Sequence, residues 1–149
     1  MKNGSGNMGI RIFVDTDVIL DFLTDRQPHA VSSSKIFDLS EDGILEICTS
    51  SLSLNNVHYI IKKVTGDAKA KEIIGEMIEF IEVLGVTKVD ILDALKSNFK
   101  DFEDAIQHSV AAKESNIKSI ITRNIKDYKK SILPVFSPDA FIRMIQNEQ

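Results

Sequence analysis

The sequence predicts an α/β domain built on a parallel sheet, and three observations carry that expectation. Short apolar runs of strand length, at 10–14, 44–49 and 118–122, alternate with longer segments whose apolar residues recur at helical spacing. The first run ends in acid, Asp15-Thr16-Asp17. In open parallel sheets, ligands sit just beyond the carboxyl ends of the strands, where a carboxylate is rigidly mounted and half-exposed. The chain has 149 residues, one domain's worth and enough to bury a core without cross-links.

Taken in order, residues 1–9 are rich in Gly, Asn and Ser and read as a disordered leader or a cloning scar, with 10–149 forming the single domain. Strand one, 10–14, is followed by a short helix over 16–24 with Val18, Leu20 and Leu23 on its apolar side. Pro28 opens a second helix that stops at Glu41-Asp42-Gly43. Strand two spans 44–49, and Ser50 or Ser51 caps a helix running to Thr65-Gly66. Asp67 caps a further helix to about Phe80. A strand over 82–88 precedes a helix capped by Asp90 and running to about Phe99. Asp101-Phe102-Glu103-Asp104 leads into a small-residue helix over 105–112. After strand four come a basic loop over 123–134, a brief strand at 135–136 and a C-terminal helix opened by Ser137-Pro138-Asp139.

The composition narrows the function classes. No apolar run approaches the roughly 20 residues that span a bilayer. A lone Cys48 within an apolar segment reads as a small core residue, allows no disulfide within the chain, and fits a reducing cytoplasm. His29, His58 and His108 share no zinc-ligand spacing. Net charge is −4, so any phosphate contact must be local; Arg123, Lys126, Lys129 and Lys130 offer such a patch.

The acids supply the chemistry. Asp15 and Asp17 follow strand one, Glu103 and Asp104 open a helix, and Asn124 and Asp127 follow strand four. Segments after strands one and four emerge on the same edge of a parallel sheet. An oxygen-only cluster there suits Mg²⁺ or Mn²⁺ rather than zinc or copper. Several of these residues have plainer roles: Asp17 could cap the first helix, Asp101 or Glu103 the helix holding Asp104, and Asp127 could serve a turn.

These residues also carry a resemblance. Ile12-Phe13-Val14-Asp15-Thr16-Asp17-Val18-Ile19-Leu20-Asp21 resembles the opening motif of PIN domains, which include VapC-type toxin nucleases. Asp101-Phe102-Glu103-Asp104-Ala105-Ile106-Gln107 resembles the third acidic motif of that family, and 120–128 its fourth. The resemblance implies a three-layer α/β/α sandwich with a mainly parallel sheet of four or five strands. It also implies metal-dependent cleavage of RNA, with Mg²⁺ or Mn²⁺ held by Asp15 and Asp104, helped by Asn124 and Asp127. The family's second acid, usually Glu, falls on Asn56, and its fourth, often Asp, on Asn124. Each amide removes a negative charge from the site, which Asp17, Glu103 or Asp127 could restore. The implied partners are RNA, an antitoxin protein where the chain is the toxin of a toxin–antitoxin pair, and a second copy docking on the apolar helices at 52–81. Two alternatives stand beside the ribonuclease: a PIN-like module that binds RNA or protein but cuts poorly, and a haloacid-dehalogenase-type phosphatase. The phosphatase would use Asp15 as nucleophile, Asp17 as acid, and Thr49 or Ser50 as its second motif.

Overall fold

The computed structural model describes residues 9–148; apart from Gly9, the expected leader lies outside them. Five strands form one all-parallel sheet in the order β3-β2-β1-β4-β5: β1 Ile10–Val14, β2 Leu45–Ser50, β3 Glu82–Leu84, β4 Ile117–Ile121 and β5 Val135–Phe136. The helices are α1 Thr16–Leu23, α2 Ala30–Glu41, α3 Ser51–Thr65, α4 Asp67–Met77, α5 Lys88–Lys96, α6 Phe102–Lys113 and α7 Pro138–Asn147, with a 3₁₀ turn at Ile125–Tyr128.

Strand alternation divides the core into two layers, because successive side chains point to opposite faces. Ile12 and Val14 of β1 face one way, with Leu45, Ile47 and Ile121, and are covered by α1, α2, α3, α4 and α7. Phe13 faces the other way, with Cys48 and Ile120, and is covered by α5 and α6. The result is the predicted α/β/α sandwich. Small residues on α6, Ala105, Val110 and Ala111, let that helix lie close to the sheet. Cys48 is fully buried, and burial pushes its thiol up to about 12, so it is an inert core residue.

Local chemistry sets the helix starts. Ser50 Oγ accepts from the Ser53 N–H, Asp101 from the Asp104 N–H, and Ser137 from the Ala140 N–H with Pro138 in the first turn. Gly66, at φ 88°, ends α3 and turns the chain into α4, a backbone conformation that glycine adopts without steric cost.

Strands β2 and β4 shift by one residue and α6 starts at Phe102, and larger differences from the sequence expectation fall on four other elements. Helix α2 begins at Ala30 rather than Pro28, because the Ala30 N–H closes a turn on the Arg26 carbonyl and Pro28 belongs to that turn. Helix α4 ends at Met77, short of Phe80, and Asp67 lies inside its first turn, paired with Lys71, while Gly66 holds the cap position. Strand β3 stops at Leu84 because the Val86 N–H is taken by Ser51 Oγ at 3.1 Å, which draws the chain off the sheet. Helix α5 is capped by Thr87 rather than Asp90. Thr87 and Asp90 form a capping box, and the helix ends where Ser97 Oγ donates to the Ala94 carbonyl. Among the described residues no helix is long and apolar enough to cross a membrane.

Candidate active site

In this strand order the chain reverses direction across the sheet between β1 and β4. That is the topological switch point, where doubly wound sheets bind ligands beyond the strand ends. Asp15 stands there directly after β1. Its Oδ1 accepts from the Thr16 N–H at 2.8 Å, and its Oδ2 accepts from the Thr122 hydroxyl at 2.8 Å. Asp15, not Asp17, therefore caps α1. Both oxygens are held, the residue is 6% exposed, and burial raises its pKa despite those hydrogen bonds.

Asp17 lies in the first turn of α1 and leans toward the end of β4. Its Oδ2 accepts from the Arg123 backbone N–H at 3.1 Å, while its Oδ1 is buried without a partner among the described residues. Burial first, and the Asp15 charge second, push Asp17 up to about 7. Asp104, in the first turn of α6, also rises to about 7, through burial and then the charges of Asp15, Asp101, Asp127 and Glu103. Glu103 is raised by burial and by Asp101 and Asp15. Asp127, exposed on the 3₁₀ turn, is close enough for its charge to act on both Asp15 and Asp104. Five carboxylates from three segments thus share one edge of the sheet.

The two amide positions are resolved differently. The Asn56 side chain on α3 donates to Glu103 Oε1 at 2.5 Å. An amide on α3 thus tethers a carboxylate reached from α6. Asn124 is exposed; its backbone N–H donates to Thr122 Oγ1 at 3.0 Å, and Asp127, three residues on, carries the negative charge of that loop.

The basic patch divides. Arg123 was expected among the phosphate contacts, but its Nε and Nη2 donate to Asp21, at 2.6 and 3.2 Å, and Asp21 is fully buried. Burying that carboxylate demands a partner, and Arg123 supplies it. Lys126, Lys129 and Lys130 remain exposed on the loop.

Two participants lie within the 120–128 motif without standing out as site residues there. Thr122, directly after β4, fixes Asp15. Tyr128 is 1% exposed, and its hydroxyl faces Asp15 and makes a long 3.5 Å contact to Asp104 Oδ1. A polar seam lies beneath them: Gln107 bonds both Ser50 and Ser53, and the Thr16 hydroxyl donates to Ser53 Oγ at 2.9 Å. It joins the helices that carry Asp15, Asn56 and Asp104. The phosphatase alternative loses its second motif here, since the Thr49 hydroxyl is spent on the Val14 carbonyl and Ser50 Oγ on the α3 cap.

Among the described residues, no three His, Cys, Asp or Glu side chains already close into a coordination sphere. The donors are nevertheless all oxygen, their charges repel, and the buried Asp17 Oδ1 lacks a partner. Mg²⁺ or Mn²⁺ fits that chemistry.

Comparison with known proteins agrees with the fold. The family model of the PIN domain matches residues 11–126. The chain is similar to Ribonuclease VapC1 of Aquifex aeolicus, 26% identical over 136 residues, an alignment covering 88% of this chain and 92% of that one. Among solved structures it resembles VapBC-1 from nontypeable Haemophilus influenzae, at TM-score 0.64 and 16% identity, covering 87% of this chain and 98% of that one. It also resembles VapC20 of Mycobacterium tuberculosis, a sarcin-ricin loop cleaving toxin, at TM-score 0.58 and 17% identity, covering 73% and 86%. At those identities the structural matches speak for the fold alone.

Proposed function

The chain belongs to the PIN-domain family, and from that premise we propose that it is a metal-dependent ribonuclease, the toxin of a toxin–antitoxin pair. The carrying observation is the carboxylate edge at the switch point, where burial and mutual repulsion push Asp17 and Asp104 up to about 7 while the neighbouring Arg123 is engaged by Asp21. Asp15 and Asp104 would hold Mg²⁺ or Mn²⁺, with Asp127 and the Asn124 amide oxygen completing the set from the loop. Glu103, held by Asn56, would restore the charge that the amides remove. When bound, the dication supplies an activated water and charge stabilisation for an in-line displacement at the phosphodiester. Asp15 gives the site a fixed point, because both its oxygens are anchored. Lys126, Lys129 and Lys130 would meet the RNA backbone. Ribonuclease VapC1 and the VapBC assembly support RNA as substrate and an antitoxin as partner.

The test is Mn²⁺-dependent cleavage of a mixed-sequence RNA by wild type and by Asp15→Asn. Loss on the order of 100-fold or more, with the variant folded, supports the reading. Equal cleavage by the two proteins removes the site. RNA binding by wild type without cleavage at any Mn²⁺ concentration makes the chain a binding module instead.

A further inference from the structure

A cavity of about 460 Å³ opens between α5, α6 and the basic loop, outside the acid cluster. Its walls include Asp93, Asn98, Phe99, His108, Lys130 and Ile132. That volume is within the range of small-ligand sites. Phe99 and His108 form its aromatic side, with ring centroids 4.8 Å apart and planes 31° apart. His108 is held as a neutral ring: its Nε2 accepts the Ile132 N–H at 3.1 Å, and burial lowers its pKa. The polar side carries the Asn98 amide and the Asp93 carboxylate, the latter accepting from the Ser109 hydroxyl at 3.3 Å. Lys130 supplies an exposed cation at the loop.

The cavity joins the acid edge by two routes. His108 follows Asp104 by four residues on α6, just over one helical turn or about 6 Å along the axis. Phe99 meets Tyr128 edge-on at 5.9 Å, and the Tyr128 hydroxyl faces Asp15 and Asp104.

We propose that this cavity is a nucleobase subsite, taking the base of a nucleotide adjacent to the cleaved phosphodiester, with the ring against Phe99 and His108 and the phosphate toward Lys130. The proposal rests on the ribonuclease reading for its place in the reaction, but not for binding. Every nucleobase offers a π-face to an aromatic wall, and stacking of that kind is tolerant of sequence. Asp93 accepts from base N–H groups, and Asn98 both donates and accepts along a base edge. An acidic peptide would meet Asp93, and an aliphatic side chain would leave Asp93 and Asn98 unsatisfied.

The probes are nucleoside 5′-monophosphates and, as the control lacking a base, ribose 5-phosphate, titrated into the whole chain by NMR without divalent metal. Nucleotides should perturb resonances of Phe99 and His108 and bind at least fivefold more tightly than ribose 5-phosphate. Phe99→Leu should erase that difference. Lys130→Gln, a surface change with no packing cost, should weaken nucleotide and ribose 5-phosphate alike. In RNA cleavage, Phe99→Leu should raise KM roughly five- to thirtyfold, as expected for loss of base stacking, with kcat and Mn²⁺ affinity unchanged. Equal binding of nucleotide and ribose 5-phosphate, or an unmoved KM in a folded Phe99→Leu, overturns the subsite. Base-dependent binding in a protein that cuts no RNA keeps the subsite and overturns the ribonuclease.

Discussion

Asp90 and Asp15 are both buried aspartates at the start of a helix, and the protein treats them oppositely. Asp90, fully buried, accepts from the Thr87 N–H at 2.9 Å, the Ser109 hydroxyl at 2.9 Å and the Lys113 ammonium at 2.7 Å. Burial works against its charge, but Lys113, Thr87 and Ser109 outweigh it and hold the carboxyl below its usual range. Asp15 has only neutral donors, from Thr16, Thr122 and Tyr128, no cation in contact among the described residues, and further acids around it, and its carboxyl rises. A charge that the chain neutralises serves the fold. A cluster that it leaves uncompensated stores repulsion that an incoming cation relieves, a pattern typical of functional sites.

The largest expected effect breaks this comparison at its structural end. Asp90→Ala removes the acid half of the α5 capping box and the buried partner of Lys113 and Ser109, and should lower stability by about 3 kcal/mol, read from urea unfolding. Asp15→Asn should leave the metal-free protein as stable as wild type or more so. Equal losses in the two variants would mean that Asp15 is merely another structural acid.

The next effect concerns RNA. Replacing Lys126, Lys129 and Lys130 together with Glu should weaken binding by at least tenfold at low salt. It should also flatten the salt dependence of log K by about 2, near 0.7 for each cation on a single strand. A salt slope that does not change would leave these lysines as solvated loop charges.

Metal affinity sharpens the comparison further. Glu103→Gln should cost roughly tenfold in Mn²⁺ affinity by calorimetry, and Asn56→Glu should gain severalfold by adding a carboxylate beside Glu103. Unchanged affinity in Asn56→Glu would place this helix position away from the ion.

The smallest effect is in pH. Asp17 and Asp104 titrate near 7 in the folded chain and near 3.8 as ordinary aspartates, so the stability they permit is complete below about pH 4 and declines as pH rises through 7. Asp90 has the reverse sign: its contribution is present above about pH 4 and is lost as pH falls below that. Metal-free protein should therefore show a lower urea midpoint at pH 8 than at pH 5.5, and Asp104→Asn should reduce the difference. Mn²⁺ should restore the midpoint at pH 8.

The sequence made the sheet legible because strand-length apolar runs alternate with helical ones, and it made Asp15 and Asp104 conspicuous because each follows or opens an apolar element. Capping was harder. A single carboxylate such as Asp15 can cap and still belong to an acid cluster, and only geometry assigns the cap to it rather than to Asp17. The start of α5 was readable in Thr87-Lys88-Val89-Asp90, a capping-box spacing in which the first residue, not the acid, holds the cap. Thr122, Tyr128 and Gln107 lie inside the third and fourth motifs, yet nothing singles them out there, since one hydroxyl or amide beside conspicuous acids has no period of its own. Arg123 looked like a free cation because its partner, Asp21, lies 102 positions away.

The outer strands of the sheet carry a consequence for self-association. Strand β3 has three residues and β5 only two, and Arg11 reaches Glu82 at the β3 edge. Edges that short and charged give an incoming strand few amides to zip against, so another chain gains little by extending this sheet. A protein that grips the domain finds more to hold on its helices than along these edges. The α3–α4 region, where Tyr59, Val64, Ile78 and Phe80 stand in the open, presents apolar surface for that grip.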